Sequence, residues 1–386
     1  MKTLDLLPSS EGEKPLPVVE TKLINLSKKT VIGGMAALVW CVTQIVAIPQ
    51  GDAHAIGIAG RGELVVRPFL PPAAGENYTL MMQRADDVPG SLTQPPPRHV
   101  SKKAEVNLPR EKFLDTGKVK INYLDYGNAS SEPLVMLHGG AWCWEEYLSL
   151  IPFLAQRWHP YALDSRGNGR SGWVPGQYRL EDFTEDTVAF VRQFKTTVVL
   201  VGHSLGGAVA LMVAARCPDK VKALVIEDTP PTIENYRRVV ASGREMYGTW
   251  LKLKGSVQSE QELSLALADT YKDYPGVTSQ WFMFFARCLW QLDPTYFDAL
   301  RNDFDSFIKG YDNQLLARIR CPVLFIRGET ELGAVMTDEE VSWLKRNFSK
   351  VSYTHITGVG HLLHMQEGGQ AQVLKAMLEF LERVPK

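Results

Sequence analysis

A serine flanked by glycines lies at residues 202–207, which read Gly-His-Ser-Leu-Gly-Gly. The continuous apolar run at residues 198–201 predicts a strand that is buried on both faces of a sheet. Residues 205–216, rich in Ala, Leu and Val, predict a buried helix directly after the serine. At a sharp strand-to-helix turn, glycines permit the tight bend and the serine hydroxyl projects into a cleft. Ser204 is therefore the predicted nucleophile.

One histidine is placed to act as the base for this serine. A serine hydroxyl is a poor nucleophile unless a neighbouring base accepts its proton. His361 ends the sequence Gly-Val-Gly-His, just after the strand predicted at residues 351–356. This loop position and the chain order of nucleophile, acid and histidine favour His361 as the base. His364 is expected to help fix the loop, and His203 is expected to be structural.

A carboxylate should orient the imidazole and stabilise its charged form during attack. Glu331 lies just past the strand predicted at residues 323–326, in the sequence Gly-Glu-Thr-Glu, and is the predicted acid. Two other carboxylates remain as alternatives. Glu329 belongs to the same segment, and Asp228 follows an earlier predicted strand.

A glycine-rich loop is predicted to stabilise the negative charge that develops on a substrate oxygen. The sequence His-Gly-Gly-Ala-Trp at residues 138–142 follows the strand predicted at residues 134–137. Such a loop supplies one backbone N–H, and the residue after the nucleophile supplies another. One donor of this kind is typically worth about 2.7–4 kcal/mol of the barrier. Gly140 and Leu205 are the predicted donors, with Ala141 as the alternative to Gly140.

Composition and net charge argue against several classes of partner and cofactor. The 386 residues carry a net charge of −1, so nothing in the balance attracts the protein to nucleic acid. The five cysteines are widely spaced and include no Cys-x-x-Cys pair, which argues against a zinc or redox site. Cys143 lies in the loop predicted beside the site. Since no other phosphate-binding loop or ligand cluster is present, we expect no metal, nucleotide or other cofactor.

The chain from about residue 105 alternates between strand and helix patterns. Strands that alternate with helices favour a mostly parallel sheet with helices on both faces. The predicted strands lie at residues 118–124, 134–137, 161–164, 198–201, 223–226, 323–326 and 351–356, and the predicted helices at 145–155, 180–194 and 205–216.

A long insertion interrupts this alternation. Residues 229–320 have a helical pattern and many large apolar side chains, such as Trp250, Trp281, Phe285 and Phe297. We expect a helical cap over the carboxyl edge of the sheet, in which most of these aromatic groups form the core of the cap itself.

The N-terminal part of the chain differs in kind. Residues 1–29 are a polar tail. The apolar run from Val31 to Ile48 would span roughly 27 Å as a helix, close to the hydrocarbon core of a bilayer. We assign residues 30–49 to a transmembrane helix or a signal segment, and the proline-rich residues 50–104 to an irregular arm.

Three interpretations of the apolar run remain open: a single-pass anchor, a cleaved signal peptide and a buried helix. Lys22, Lys28 and Lys29 precede the run and no lysine follows it closely, which favours a cytoplasmic N-terminus and a folded domain on the opposite side. Ala53-His54-Ala55 matches the small-x-small pattern of a cleavage site, so an exported soluble product is the alternative.

From about residue 105 to its C-terminus, the chain resembles the capped α/β-hydrolase superfamily in its serine-dependent, esterase- and lipase-like branch. The resemblance implies a core at residues 105–228 and 321–386 with a cap at 229–320. In that family an aspartate usually stands at the position of Glu331. Epoxide hydrolases and haloalkane dehalogenases of this fold need an aspartate in place of Ser204, which disfavours both. The motifs that carry the resemblance lie at residues 138–139, 164–171, 202–207, 328–331 and 358–361.

The resemblance implies hydrolysis of a carboxylic ester of a small hydrophobic substrate through an acyl-enzyme on Ser204. The same groups would also serve a lactone, a thioester, an amide or a carbon–carbon bond, because fold and catalytic residues do not choose the substrate. A different class of function is a membrane-tethered binding, receptor or scaffold protein with a hydrolase fold.

Overall fold

The structure, a computed structural model, describes residues 110–272, 279–348 and 350–384. The predicted tail, the apolar run at residues 30–49 and the arm at 50–104 lie outside the described residues, and their assignments stay predictions. In the three described ranges, no helix combines the length and apolar character needed to cross a membrane.

Within those ranges, eight strands form one mixed sheet in the order β1-β2-β4-β3-β5-β6-β7-β8. The pairs β1–β2 and β2–β4 are antiparallel, and all the other neighbours are parallel. The carboxyl ends of the parallel strands therefore meet at one edge, where α/β sheets place their sites. The strands are β1 Arg110–Asp115, β2 Lys120–Asp125, β3 Glu132–Leu137, β4 Trp158–Leu163, β5 Val198–His203, β6 Val221–Glu227, β7 Val323–Arg327 and β8 Val351–His355.

Alternating side chains of the central strands enter two separate cores. Leu200 of β5 and Ile226 of β6 belong to one core. Their neighbours Val201 and Val225 belong to the other. Because side chains alternate along a strand, these opposite memberships place one core on each face of the sheet. Both faces are thus covered, which explains the continuous apolar runs in the sequence.

The helices outside the insertion cover these faces. Of these, Leu180–Val191 and Leu205–Arg216 correspond to the helices predicted at residues 180–194 and 205–216, but the helix predicted at residues 145–155 is wrong. The structure instead has a 3₁₀ turn at Trp144–Tyr147 and a short helix at Ile151–Leu154, with Pro152 in its first turn. Proline lacks the N–H that a continuous helix would need and favours the first turn. The helices are α1 Ile151–Leu154, α2 Leu180–Val191, α3 Leu205–Arg216, α10 Asp338–Asn347 and α11 Gly369–Leu381.

The regular elements in the described part of the insertion between β6 and β7 are all helices. Its aromatic side chains pack mainly on one another: Trp250 meets Phe285 edge-to-face at 4.9 Å, and Tyr247 stacks on Phe297 at 4.6 Å. Such pairs add to the apolar burial that stabilises the insertion. Its helices are α4 Ile233–Ser256, α5 Glu260–Thr270, α6 Ser279–Gln291, α7 Asp298–Asn302, α8 Phe304–Phe307 and α9 Leu315–Arg318.

Candidate active site

Ser204 occupies the turn between β5 and α3 in a backbone conformation that L residues rarely adopt, with φ 52° and ψ −115°. The surrounding glycines make this turn possible. A Cβ on Gly206 would lie 2.1 Å from the carbonyl oxygen of Leu137, and one on Gly202 would lie 2.4 Å from the carbonyl oxygen of Gly206. The predicted strand–turn–helix context of Ser204 is therefore present, and its strain is held by close backbone packing.

His361 contacts both Ser204 and a carboxylate. Its Nε2 lies 3.0 Å from Ser204 Oγ, and its Nδ1 lies 2.7 Å from Asp228 Oδ2. Because the carboxylate accepts a hydrogen bond from Nδ1–H, Nε2 of a neutral ring is left as an acceptor for the serine hydroxyl. This is the arrangement in which an imidazole takes a proton from a serine that attacks a carbonyl.

Asp228, one of the two alternatives left open by the sequence, supplies this carboxylate. It directly follows β6, has φ 39° and is completely buried. The backbone N–H groups of Val335 and Met336 donate to its two oxygens at 2.8 and 3.1 Å. These two donors fix the orientation of the carboxylate that faces His361.

The prediction of Glu331 as the acid is wrong. Its side chain is exposed in the 3₁₀ turn Thr330–Leu332, where its Oε2 accepts a hydrogen bond from Thr330 Oγ1 at 3.3 Å. The other alternative, Glu329, accepts a hydrogen bond from the Gly358 N–H at 2.9 Å and so anchors the loop that carries His361. The loop after β7 thus supports the histidine loop, while the loop after β6 supplies the carboxylate.

The two predicted oxyanion donors lie together on the wall of one cavity with Ser204. A Cβ on Gly140 would stand 3.7 Å from Leu205 Cδ2, in ordinary contact. Leu205 is the first residue of α3, and the N–H groups of a first helical turn have no partner within the helix. The placement therefore suits two N–H donors, although donation to a substrate oxygen stays a prediction.

Asp164 anchors the loop that leads away from Gly140. Its side chain accepts from the N–H groups of Trp144 and Arg170 at 2.7 and 2.9 Å, and from the amide of Asn122 at 2.9 Å. Burial raises the pKa of Asp164 to about 6. A Cβ on Gly169, which has φ 51°, would lie 2.2 Å from the Asp164 carboxylate. The predicted motif at residues 164–171 is thus a structural support.

The cavity above Ser204 encloses about 1020 Å³, including the part that opens to solvent. Its wall is built mainly by the insertion, and no Asp, Glu, Lys or Arg lines it among the described residues. Four tyrosines, Tyr178 among them, belong to its mostly apolar lining. The wall includes Trp142, Tyr236, Tyr247, Trp281, Tyr296 and Phe297.

Cys143, singled out in the sequence for its loop, is buried beside a second thiol. Its Sγ lies 3.5 Å from Sγ of Cys288 in α6. The Cys288 contact and burial raise the pKa of Cys143, and burial raises that of Cys288. A thiol, not a reactive thiolate, is therefore the dominant form of each. No cluster suited to holding a metal ion occurs in the described part of the chain.

Comparison with known proteins identifies the family. Residues 134–374, more than half of the chain, match the model of the alpha/beta hydrolase family. The chain belongs to the alpha/beta hydrolase family. Both the sequence resemblance and the expected fold are thereby confirmed for the described domain.

Relatives of this alpha/beta hydrolase include named enzymes. A Drosophila melanogaster protein named "Probable serine hydrolase" is 28% identical over 272 residues, covering 61% of this chain and 78% of its own. An esterase of Mycobacterium tuberculosis is 26% identical over 297 residues, covering 74% and 92%. Several other curated relatives match over only 39% to 43% of their own length.

The solved structure of naproxen esterase from Bacillus subtilis superposes with a TM-score of 0.54 at 17% identity, covering 71% of this hydrolase and 92% of the esterase. At that identity the likeness concerns the fold alone. At the level of the family, the activity of this hydrolase is that of a serine hydrolase.

Proposed function

We propose that this hydrolase cleaves an uncharged carboxylic ester with a hydrophobic acyl or alcohol part through an acyl-enzyme. The observation that carries the proposal is the hydrogen-bonded series Ser204–His361–Asp228 at the base of an apolar cavity. A nucleophile, a base and an orienting acid within hydrogen-bond distance are the signature of activated nucleophilic catalysis.

In the proposed reaction, Ser204 Oγ attacks the ester carbonyl carbon while His361 Nε2 takes the hydroxyl proton. The carbonyl oxygen becomes an oxyanion, which the N–H groups of Gly140 and Leu205 stabilise. His361 then gives the proton to the departing alcohol as the carbon–oxygen bond breaks. Water, deprotonated by the same nitrogen, attacks the acyl-enzyme; the bond to Ser204 Oγ breaks, His361 returns the proton to Oγ, and the acid leaves. Asp228 stabilises the imidazolium in both half-reactions.

The character of the cavity wall supports the choice of substrate. Moving a carboxylate or an ammonium group from water into an apolar site is costly unless the group is paired. The described wall offers no charged side chain as such a partner. An uncharged ester pays no comparable cost and gains about 25 cal/mol for each Å² of apolar surface that it buries.

A panel of uncharged acyl esters of graded chain length tests this proposal. Each ester is paired with an analogue whose acyl chain ends in a carboxylate. We expect kcat/KM to rise with acyl length until the cavity is filled and to fall sharply for each charged partner. Equal rates for charged and uncharged partners would contradict the substrate class. Cleavage only of thioesters, lactones or carbon–carbon bonds would move the activity to another reaction of the same residues.

We further propose that the hydrolase domain is tethered to a bilayer by the run from Val31 to Ile48, on the side opposite the N-terminus. The support is the length of that run and its preceding lysines. A chain that stays with membranes through high-salt and carbonate washes, with its N-terminus intact, would agree. A soluble product that begins near Ile56 would contradict tethering and indicate signal cleavage instead.

A further inference from the structure

Beneath the site lies a second histidine–carboxylate pair that the proposed reaction does not use. Glu146 belongs to the 3₁₀ turn Trp144–Tyr147, and His203 is the last residue of β5. Glu146 Oε1 lies 2.8 Å from His203 Nδ1, and both side chains are completely buried. A buried ion pair adds little net stability compared with well-packed apolar residues, so its presence calls for another reason.

Each partner of this pair also contacts a loop of the site. The second oxygen of Glu146, Oε2, accepts a hydrogen bond from the Gly139 N–H at 2.9 Å, directly before the predicted oxyanion donor Gly140. The second nitrogen of His203, Nε2, donates to the carbonyl oxygen of His361 at 2.9 Å. The pair therefore bridges the loop of the oxyanion donors and the loop of the base.

The surroundings of His203 favour its doubly protonated form. Nε2 donates to the carbonyl oxygen of His361, and Nδ1 lies at ion-pair distance from the Glu146 carboxylate, so a proton on each nitrogen is favoured. Burial alone would lower the pKa of His203, but the charge and contact of Glu146, with a smaller effect of Glu227, raise it to about 9. Burial acts to raise the pKa of Glu146, yet the charge of His203 outweighs it and lowers that pKa.

Further titratable groups surround Glu146 and His203. His364 Nδ1 lies 2.6 Å from Glu227 Oε2, and its Nε2 donates to the carbonyl oxygen of Glu146 at 3.3 Å. His138 also lies near this pair: burial lowers the pKa of His138, although the charge of Glu146 acts to raise it, and the charge of His138 lowers the pKa of Glu146. The His203 ring also packs 4.8 Å from the His361 ring, centroid to centroid.

We propose that Glu146 and His203 are positioning residues, which hold His361 and the Gly139–Gly140 loop at the separation that attack and oxyanion stabilisation require. The inference rests on the proposed function and deepens it. Neither side chain touches the reacting atoms. The pair acts on the rate through geometry, and a misplacement on the order of 1 Å costs about 10²-fold in rate.

The test compares Glu146→Gln and His203→Gln with the wild type on the best ester of the panel. Each variant replaces the ionisable group with an amide of similar size, which removes the charge and with it the ion pair that forms the bridge. We expect kcat to fall by roughly 10²-fold with little change in KM, because the cavity wall is untouched. The double variant should lose about as much as either single one, since each breaks the same bridge.

His159→Gln is the matched control. His159 is another buried imidazole paired with a carboxylate, 2.5 Å from Asp125 Oδ1, but its strand β4 carries no residue of the site. We expect this variant to retain the wild-type kcat. An equal loss of kcat in the control would show that any buried pair matters only for folding and would overturn the positioning role.

A second measurement reads the protonation of His203 directly in the wild type, with His203→Gln used only to assign the signal. Nitrogen-15 NMR of the labelled histidines should show the His203 imidazole, assigned by the absence of its signal from His203→Gln, doubly protonated at neutral pH and titrating near pH 9. A neutral His203 at neutral pH would overturn the proposal, as would wild-type kcat in Glu146→Gln and His203→Gln. Ser204→Ala separates the two hypotheses: if it retains activity, the proposed function fails as well.

Discussion

Asp228 Oδ2 lies 2.7 Å from His361 Nδ1, although 133 residues separate the two along the chain. The contact exists because β6 and the loop after β8 bring both residues to the same edge of the sheet. Val335 and Met336, from a third segment, donate their N–H groups to the same carboxylate. The carboxylate of Asp228, at the end of β6, is thus held by contacts from two other segments, the loop after β8 and residues 335–336.

We predict that Asp228→Asn lowers kcat by about 10⁴-fold, the size of loss seen when an orienting aspartate becomes an amide. The amide cannot stabilise the imidazolium and favours the wrong tautomer of His361. Glu331→Gln is the matched control, because its side chain is exposed and should leave kcat unchanged. Steady-state kinetics on the same ester checks both. A larger loss in Glu331→Gln than in Asp228→Asn would return the role of acid to Glu331.

Ser204 and His361 should behave as one unit. We predict that Ser204→Ala and His361→Ala each reduce kcat by on the order of 10⁶-fold and that the double variant is hardly worse. The reason is that neither residue accelerates attack without the other. Losses that multiply in the double variant would indicate two independent contributions and contradict a shared proton transfer.

The turn around Ser204 should tolerate no side chain at Gly206. We predict that Gly206→Ala strongly destabilises the fold, because its Cβ would lie 2.1 Å from the Leu137 carbonyl oxygen. The control is Gly255→Ala in α4, where a new Cβ would meet no side chain or packed backbone of the described residues within 4 Å, apart from the adjoining backbone of its own helix. Thermal unfolding should show a lower Tm for the first variant and an unchanged or slightly higher Tm for the second. Equal Tm values would show that the turn relaxes.

The pair of Glu146 and His203 predicts how stability depends on pH. The folded-state pKa of His203, about 9, lies above its ordinary value of 6.5, so its stabilising effect is complete below that ordinary value. The effect is lost as the pH rises through about 9. Glu146→Gln removes the main cause of the raised pKa, so its Tm should fall less steeply over this range. Parallel Tm curves for the two proteins would contradict the prediction.

Some of the architecture follows directly from the sequence, because its signals are local. The run at residues 198–201 is buried on both faces, and Leu205–Arg216 forms the predicted helix. Strand β1, Arg110–Asp115, was not predicted, since its sequence Arg-Glu-Lys-Phe-Leu-Asp is mostly charged, as edge strands often are. Pro152 interrupts a stretch whose apolar spacing otherwise favours one helix.

The identity of the acid is a tertiary property that no local pattern contains. Asp228 and Glu331 follow neighbouring parallel strands, β6 and β7. The loops that carry them therefore start at the same edge of the sheet, where Ser204 lies. Distance from the strand is the signal that separates them, since Asp228 follows β6 directly and Glu331 stands several residues past β7. The positioning role of His203 depends on Glu146 and the His361 carbonyl, which only the fold brings to it.

If Ser204 is the activated nucleophile, a reagent that phosphonylates activated serines will modify it covalently. The purified protein is treated with a fluorophosphonate, digested and analysed by mass spectrometry to locate the modified residue. We predict one label per chain on Ser204, a loss of ester hydrolysis in proportion to labelling, and no label in Ser204→Ala. An unmodified Ser204, or a label on another residue with full activity in Ser204→Ala, would show that Ser204 is not the nucleophile.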